Sequence, residues 1–390
     1  MAPILAELPL GVRMPTVIIE MMLGIIVGPH VLKLVNVSVP TEPVLLMGDA
    51  GLTFLFFLVG MEIDLARFRG PPLTLALRGW VCSLAIASIM ATLLWMVSLV
   101  RAPVMVGIAL TTTATGMLVP ILRDAEELET AFGRFLLAAG TIGEFGPIIV
   151  VALILTRKYS YSKQTALMMI FVAAAITCSF AAMRVRPPRL LQLFRRTLHN
   201  SSQLPVRICM FALSFFVVLA GGFGFDATLG AFAAGMVIGL AARGVEGHAL
   251  REKLDAIGYG YFVPFFFVCS GMKLDLGALQ NSHATLLLVP LFLVLFLVAR
   301  GLPVYLYRRT LPKELLLPMA FYSATALPMI VAITDFGIQT HTMLPDVAAA
   351  LVGAGMLSTL IFPTIAEALI SRGAPLAVNE MTSATTISDS

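Results

Sequence analysis

The stretch Ala138-Ala-Gly-Thr-Ile-Gly-Glu-Phe-Gly-Pro-Ile-Ile-Val150 places one carboxylate, Glu144, in the middle of an apolar run long enough to cross a bilayer. An ionised side chain at mid-membrane depth costs about 2.5–3.5 kcal/mol on insertion scales, so such residues usually face a bundle interior or a water-filled cavity. We therefore interpret Glu144 as a functional residue. The alternative interpretation is a structural ion pair.

The composition of the whole chain agrees with a membrane location. Of the 390 residues, 59% are hydrophobic and 12% are charged, and the mean hydropathy is +0.95. These values are typical of an all-α polytopic membrane protein. The net charge of +4 does not indicate nucleic-acid binding, because the basic residues are scattered singly between apolar runs. The four cysteines lack metal-ligand spacing, and no cofactor is predicted.

Twelve apolar runs have roughly the length of a membrane span. They cover about 15–35, 44–63, 73–99, 103–122, 131–156, 165–183, 206–224, 227–242, 256–273, 284–307, 314–337 and 344–370. Together they predict one transmembrane unit over 1–372. The Ser/Thr-rich residues 373–390 are expected to form a short disordered C-terminal tail.

The distribution of basic residues sets the expected orientation. Most of the 26 Lys and Arg residues lie in the connections on the same side as the two termini, above all in the arginine-rich segment from Arg184 to Arg207. The positive-inside rule then places both termini in the cytoplasm. The chain is expected to lie in the plasma or inner membrane, in contact with lipid.

An internal repeat links the two halves of the chain. Gly24-Ile-Ile-Val-Gly28 in the first run reappears as Gly235-Met-Val-Ile-Gly239 in the eighth. Phe57-Leu-Val-Gly-Met-Glu-Ile-Asp-Leu65 resembles Val268-Cys-Ser-Gly-Met-Lys-Leu-Asp-Leu276 at the same offset. Because the matching runs are seven apart, the repeats, at about 15–156 and 227–370, are inverted. Inverted repeats are typical of secondary transporters.

Two matching runs, the fourth and the eleventh, also predict interrupted helices. Thr111-Thr-Thr-Ala-Thr-Gly116 and Tyr322-Ser-Ala-Thr-Ala-Leu-Pro328 place hydroxyls, Gly and Pro in mid-span. Unwound backbone in corresponding positions of two repeats indicates a transport site, since its carbonyls can coordinate a cation. Mild kinks at Pro in ordinary packed helices are the alternative. Asp226, just before the eighth run, is expected to be a helix N-cap.

Four further motifs carry a resemblance to a known family. They are the segments Met14–Pro29, Gly51–Leu65, Gly133–Ala139 leading into Glu144, and Leu229–Gly235. With them the chain resembles the monovalent cation:proton antiporters, which include bacterial sodium/proton exchangers and the membrane domain of Kef-type potassium efflux systems. The resemblance implies a sodium/proton antiporter-like fold, a homodimer, interleaved scaffold and core subdomains, two crossed broken helices, and elevator-type alternating access.

The chain departs from the family pattern at three places. Many electrogenic members have two adjacent acids where this sequence has Gly143 and Glu144, and a lysine where it has Arg300. Arginine stays protonated at physiological pH, so Arg300 is not expected to carry a proton. The family usually has one more helix before the first run, so either the start is truncated or this is a twelve-helix form.

The candidate site is centred on Glu144, which the resemblance makes the ion-binding and proton-coupling acid. Thr141 precedes it by three residues and therefore shares its helix face. The unwound stretches are expected to supply supporting hydroxyl oxygens, from Thr113, Thr115, Ser323 and Thr325. Arg300 is expected to pair with a buried acid or with a broken-helix end. Intramembrane Thr can equally serve only in helix packing.

The resulting hypothesis is exchange of one monovalent cation, Na⁺ or K⁺, for H⁺ by competition at one buried carboxylate, without net charge movement. Two alternatives remain open at this point. One is a sodium-coupled organic-anion transporter of the same fold, and the other is a non-transporting sensor subunit. An enzyme is not expected, because no nucleophile, base and orienting group recur at workable spacing.

Overall fold

The computed structural model of the chain describes most of its apolar runs. The described residues are 16–29, 31–34, 43–62, 70–115, 118, 122, 127, 130–155, 169–171, 173–174, 177, 203–242, 245–274 and 283–386. The regular elements in these ranges are all helices, which confirms the predicted all-α class.

Thirteen α-helices, one π-helical turn and one 3-10 segment follow one another along these ranges. They are α1 (Thr16–Val27), α2 (Pro43–Glu62), α3 (Pro71–Met96), α4 (Pro103–Ala109), α5 (Ala131–Leu155), α6 (Leu204–Phe223), α7 (Ala227–Ala241), α8 (Val245–Ile257), the π-helical turn Gly258–Phe262, α9 (Val263–Lys273), α10 (His283–Gly301), the 3-10 segment Leu302–Arg309, α11 (Lys313–Ala324), α12 (Pro328–Gln339) and α13 (Pro345–Thr386).

The helices are those of an integral membrane protein. Within the described residues, 8 helical stretches are long and apolar enough to cross a membrane, and α1 and α7 are shorter apolar helices. The sixth predicted run, 165–183, lies mostly outside the described residues, whereas every other run contains a described helix. The count of twelve crossings stays a prediction.

The last described helix, α13, begins at Pro345 and ends at Thr386. It contains the last predicted run, 344–370, almost completely. The domain assignment, with one transmembrane unit over 1–372 and a short tail over 373–390, stays a prediction.

The chain forms two compact units, each built from two separate stretches. The first unit comprises residues 1–67 and 148–274, and the second comprises 68–147 and 275–390. The first therefore contains α1, α2 and α6 to α9. The second contains α3, α4, α10 to α13 and the first part of α5.

The first unit contains the internal repeat as two equivalent helix pairs. A Cβ atom added at Gly24 of α1 would overlap the carbonyl of Val268 in α9, and one added at Gly235 of α7 would overlap the carbonyl of Phe57 in α2. In the alignment of the two repeats Gly24 corresponds to Gly235 and Phe57 corresponds to Val268, so the two contacts are equivalent. Small residues let helix backbones approach closely where no hydrophobic effect drives association. The glycines therefore recur in both runs because each run packs closely against another helix.

The second unit has an apolar core beside its interrupted helices. In this core Phe132 and Leu136 of α5 pack with Met319 and Tyr322 of α11 and with Tyr307 of the 3-10 segment. All five side chains are buried. This packing fixes the first half of α5, and with it the helix that carries Glu144.

The predicted N-cap is confirmed. The Asp226 carboxylate accepts a hydrogen bond from the backbone N–H of Thr228 at 2.8 Å at the start of α7. Such a bond satisfies one of the backbone donors that a helix N-terminus leaves without an intrahelical partner.

Candidate ion-binding site

The two predicted interruptions are present and contact each other within the second unit. Helix α4 ends at Ala109, and α11 ends at Ala324 before α12 begins at Pro328. The backbone N–H of Ala114 donates to the carbonyl of Thr325 at 2.8 Å. Proline at 328 removes a backbone donor and disfavours the helical conformation of the residue before it, which separates α11 from α12. The crossed broken helices are therefore confirmed.

Threonine 113 joins the two unwound stretches to each other and to α5. Its hydroxyl donates to the Ser323 carbonyl at 2.6 Å, and its backbone N–H donates to the Gly143 carbonyl at 3.2 Å. The same hydroxyl oxygen accepts a hydrogen bond from Arg300 Nε at 2.9 Å. Thr113 was predicted as a supporting oxygen for a cation, and in this structure it links helices.

Glu144 is buried in α5, on the part of the helix that the unwound stretch after α4 approaches. It is 4% exposed. A Cβ atom at Gly140, one helical turn before Glu144, would lie 2.9 Å from the hydroxyl oxygen of Thr115. Glycines at 140 and 143 thus let an unwound backbone pass close to α5 beside the carboxylate. Thr141, on the same helix, is buried as well.

Arg300 occupies the centre of the crossing. It lies near the C-terminal end of α10 and is 4% exposed. Besides the bond to Thr113, Nε donates to the Ser323 carbonyl at 3.3 Å, Nη1 to Ser83 Oγ at 3.3 Å and Nη2 to the Ala139 carbonyl at 3.1 Å. The Ser323 carbonyl belongs to the last turn of α11, where the helix dipole favours a cation. The structure thus places Arg300 at a broken-helix end.

The guanidinium also explains why residue 143 is a glycine. A Cβ atom at Gly143 would lie 2.6 Å from Arg300 Nη2 and 2.8 Å from Thr113 Oγ1. Both distances are shorter than real Cβ contacts allow. The arginine therefore fills the space that a side chain at 143 would need. Gly143 and Arg300 are two separate departures from the family pattern in the sequence. In the structure they are linked, because the Arg300 side chain lies against Gly143.

The remaining predicted oxygens differ in how they are used. The Thr325 hydroxyl donates to the Phe321 carbonyl at 3.2 Å, within its own helix. The buried hydroxyls of Thr115 and Ser323 have no hydrogen-bond partner among the described residues. The Thr115 hydroxyl approaches Gly140, which lies one helical turn before Glu144 and so shares its helix face.

Sequence reasoning missed two residues of this site, both on α3. Ser83 is fully buried and accepts from Arg300, and the Trp80 ring packs so closely on α5 that a Cβ atom at Gly146 would overlap it. The available signal was a tryptophan and a serine three residues apart in an otherwise apolar run, because residues at that spacing share a helix face.

Comparison with known proteins identifies the family. The model of the family described as "Sodium/hydrogen exchanger, transmembrane" matches residues 2–372. The chain belongs to this exchanger family. It is 24% identical over 365 residues to the Na(+)/H(+)-K(+) antiporter GerN of Bacillus cereus, a match that covers 92% of this chain and 90% of GerN.

Two further matches are to a longer protein and to a more distant one. The chain is 25% identical over 372 residues to YjbQ of Bacillus subtilis (strain 168), a match that covers 92% of this chain but spans only 59% of YjbQ. The structure of the sodium proton antiporter MjNhaP1 from Methanocaldococcus jannaschii superimposes with a TM-score of 0.65 and 15% identity, and the match covers 94% of this chain and 93% of that chain. This likeness confirms the antiporter fold.

Proposed function

We propose that the protein exchanges a monovalent cation, Na⁺ or K⁺, for H⁺ at Glu144. The observation that carries this proposal is a buried carboxylate on α5 beside two crossed, unwound helix segments. Burial favours the protonated form of a carboxylate, and a partly dehydrated cation can displace that proton when the site opens to a cation-rich side. The match to GerN, a Na(+)/H(+)-K(+) antiporter, over most of both chains favours this function over organic-anion transport or a sensor role.

Hard oxygen ligands suit an alkali cation. Carboxylate oxygens of Glu144 and the hydroxyl of Thr115 supply such ligands, and Thr141 lies on the same helix face as Glu144. Thr113, Ser323 and Thr325 hold the crossing in place around them through their carbonyls and hydroxyls. The choice between Na⁺ and K⁺ depends on cavity size and ligand number, which ion-competition experiments measure directly.

We further propose that one cation exchanges for one proton without net charge movement. Arg300 keeps its charge, and no acid stands at Gly143 because the guanidinium fills that space. Glu144 is then the group that changes state, and its proton-loaded and cation-loaded forms have the same net charge. A membrane potential does work of about 2.3 kcal/mol per elementary charge per 100 mV, so such a cycle is insensitive to voltage.

Alternating access in this proposal is a movement of one part of the chain against another, with a homodimer as the working assembly. The division of the chain into two compact units supports an elevator-type cycle, since such a cycle needs a mobile and a fixed body. The chain is proposed to lie in the plasma or inner membrane, with both termini in the cytoplasm as the positive-inside rule predicts.

The test compares two buried carboxylates in proteoliposomes. Glu144→Gln is expected to abolish cation-driven proton movement while the purified protein stays folded. Glu20→Gln is the matched control, because Glu20 in α1 is also buried, at 6% exposure, but lies in the first unit. Near-normal exchange by Glu144→Gln would refute the assignment.

The voltage dependence of exchange tests the proposed one-to-one stoichiometry. A potassium diffusion potential, with Na⁺ as the assayed cation, should leave the equilibrium ion ratio unchanged. A shift of that ratio would show that a second charge moves.

A further inference from the structure

A small cavity lies next to Arg300, on the side of α3. It has a volume of about 10 Å³, and its lining includes Trp80, Arg300, Tyr307 and Ser323. This is space for about one water molecule. All four residues belong to the second unit, and Ser323 is also part of the unwound crossing.

The cavity is surrounded by polar groups that lack protein partners. Trp80 Nε1 and Ser323 Oγ are buried and have no hydrogen-bond partner among the described residues. Arg300 has five N–H donors, and the bonds from Nε, Nη1 and Nη2 leave one N–H of each terminal nitrogen for another acceptor. An unsatisfied buried polar group is costly, and native structures satisfy such groups with protein or with internal water.

We propose that this cavity binds one structural water molecule that links α3, α10 and α11. The water accepts hydrogen bonds from the Trp80 indole N–H and from Arg300, and it donates to Ser323 Oγ. Three such bonds are the usual number for a buried water. The water holds the guanidinium that also approaches Gly143 through Nη2.

Charge and size both favour water over an ion in this cavity. The positive guanidinium repels a cation, so this cavity is distinct from the cation site at Glu144. A halide ion would suit the N–H donors, but it is larger than a water molecule and the cavity has room for only one water.

The hydrogen-bond state of the Trp80 indole tests the proposal. The chain has only two tryptophans, Trp80 and Trp95, so the Trp95→Phe protein isolates the Trp80 signal in ultraviolet resonance Raman spectra. Trp95 is 54% exposed, and its replacement is expected to leave the fold intact. The indole N–H band should lie at the frequency of a hydrogen-bonded group and should stay there when chloride is replaced by gluconate.

Two results would overturn the proposal. An indole band at the frequency of a free N–H would show a dry cavity, and a band that shifts on removal of chloride would show a bound anion. Trp80→Phe is the matched control, because it keeps an aromatic ring against Gly146 but removes the N–H, and the assigned band should disappear.

A high-resolution map provides an independent test. It should show one density peak within hydrogen-bonding distance of Trp80 Nε1 and Ser323 Oγ. Absence of that peak, in a map that resolves other buried waters, would also refute the water.

Discussion

Replacing Gly143 with alanine should destabilise the protein, although the same change stabilises most helices. The added Cβ would lie 2.6 Å from Arg300 Nη2 and 2.8 Å from Thr113 Oγ1. Arg300 would have to withdraw, which breaks its bonds to the Ala139 carbonyl and to Thr113. Each hydrogen bond to a charged group contributes about 1.5–3 kcal/mol. Against this loss, glycine to alanine in a helix gains about 1 kcal/mol.

The expected net cost is therefore about 2–5 kcal/mol of unfolding free energy. Gly221→Ala is the matched control, because Gly221 is also helical, in α6, and has no atom within 4 Å of an added Cβ. Its stability should stay equal or rise slightly. Unfolding of both purified variants, followed by circular dichroism in the same detergent, measures the difference, and cation-driven proton flux in proteoliposomes shows whether the site survives. Equal stability and equal flux of the two variants would refute the placement of Arg300 against Gly143.

Three further predictions address the cation ligand, a helix cap and the orientation. Thr115→Val should raise the cation concentration for half-maximal exchange about tenfold, because a hydrogen-bonding ligand to a charged group contributes about 1.5 kcal/mol. Thr115→Ser keeps the hydroxyl and should leave this concentration unchanged, and equal values for the two variants would remove Thr115 from the site. Asp226→Ala should lower the unfolding free energy by about 1 kcal/mol, with Asp226→Asn as a cap-preserving control; no difference between them would contradict the cap. Asn200→Cys, in a protein without its native cysteines, should be labelled only from the cytoplasm; labelling from outside intact cells would overturn the orientation.

Local sequence was sufficient wherever one physical rule determined the outcome. Apolar length gave the spanning helices, because a bilayer leaves a backbone no partner other than its own helix. The paired Pro and hydroxyl residues predicted both interruptions, and Asp226 predicted its own cap. The repeated glycines predicted an internal repeat, and the structure shows two equivalent helix contacts at them.

Local patterns do not contain the contacts between distant segments. The division into two units depends on contacts between stretches far apart in the chain, such as those of α3 with α10. No periodicity within one run contains that information.

Hydropathy, proline and a charge in an apolar run each act over a few residues, so the amino-acid sequence was enough to predict an all-α membrane protein with inverted repeats, two broken helices and one carboxylate in mid-span. The surroundings of that carboxylate could be known only from the fold. Arg300 reaches Gly143 and Ser83 from another helix, Thr113 donates a hydrogen bond to the Ser323 carbonyl, and Trp80 lines a small cavity beside Arg300. The physical reason is that a hydrogen bond or a steric contact depends on distances between side chains that the fold alone brings together.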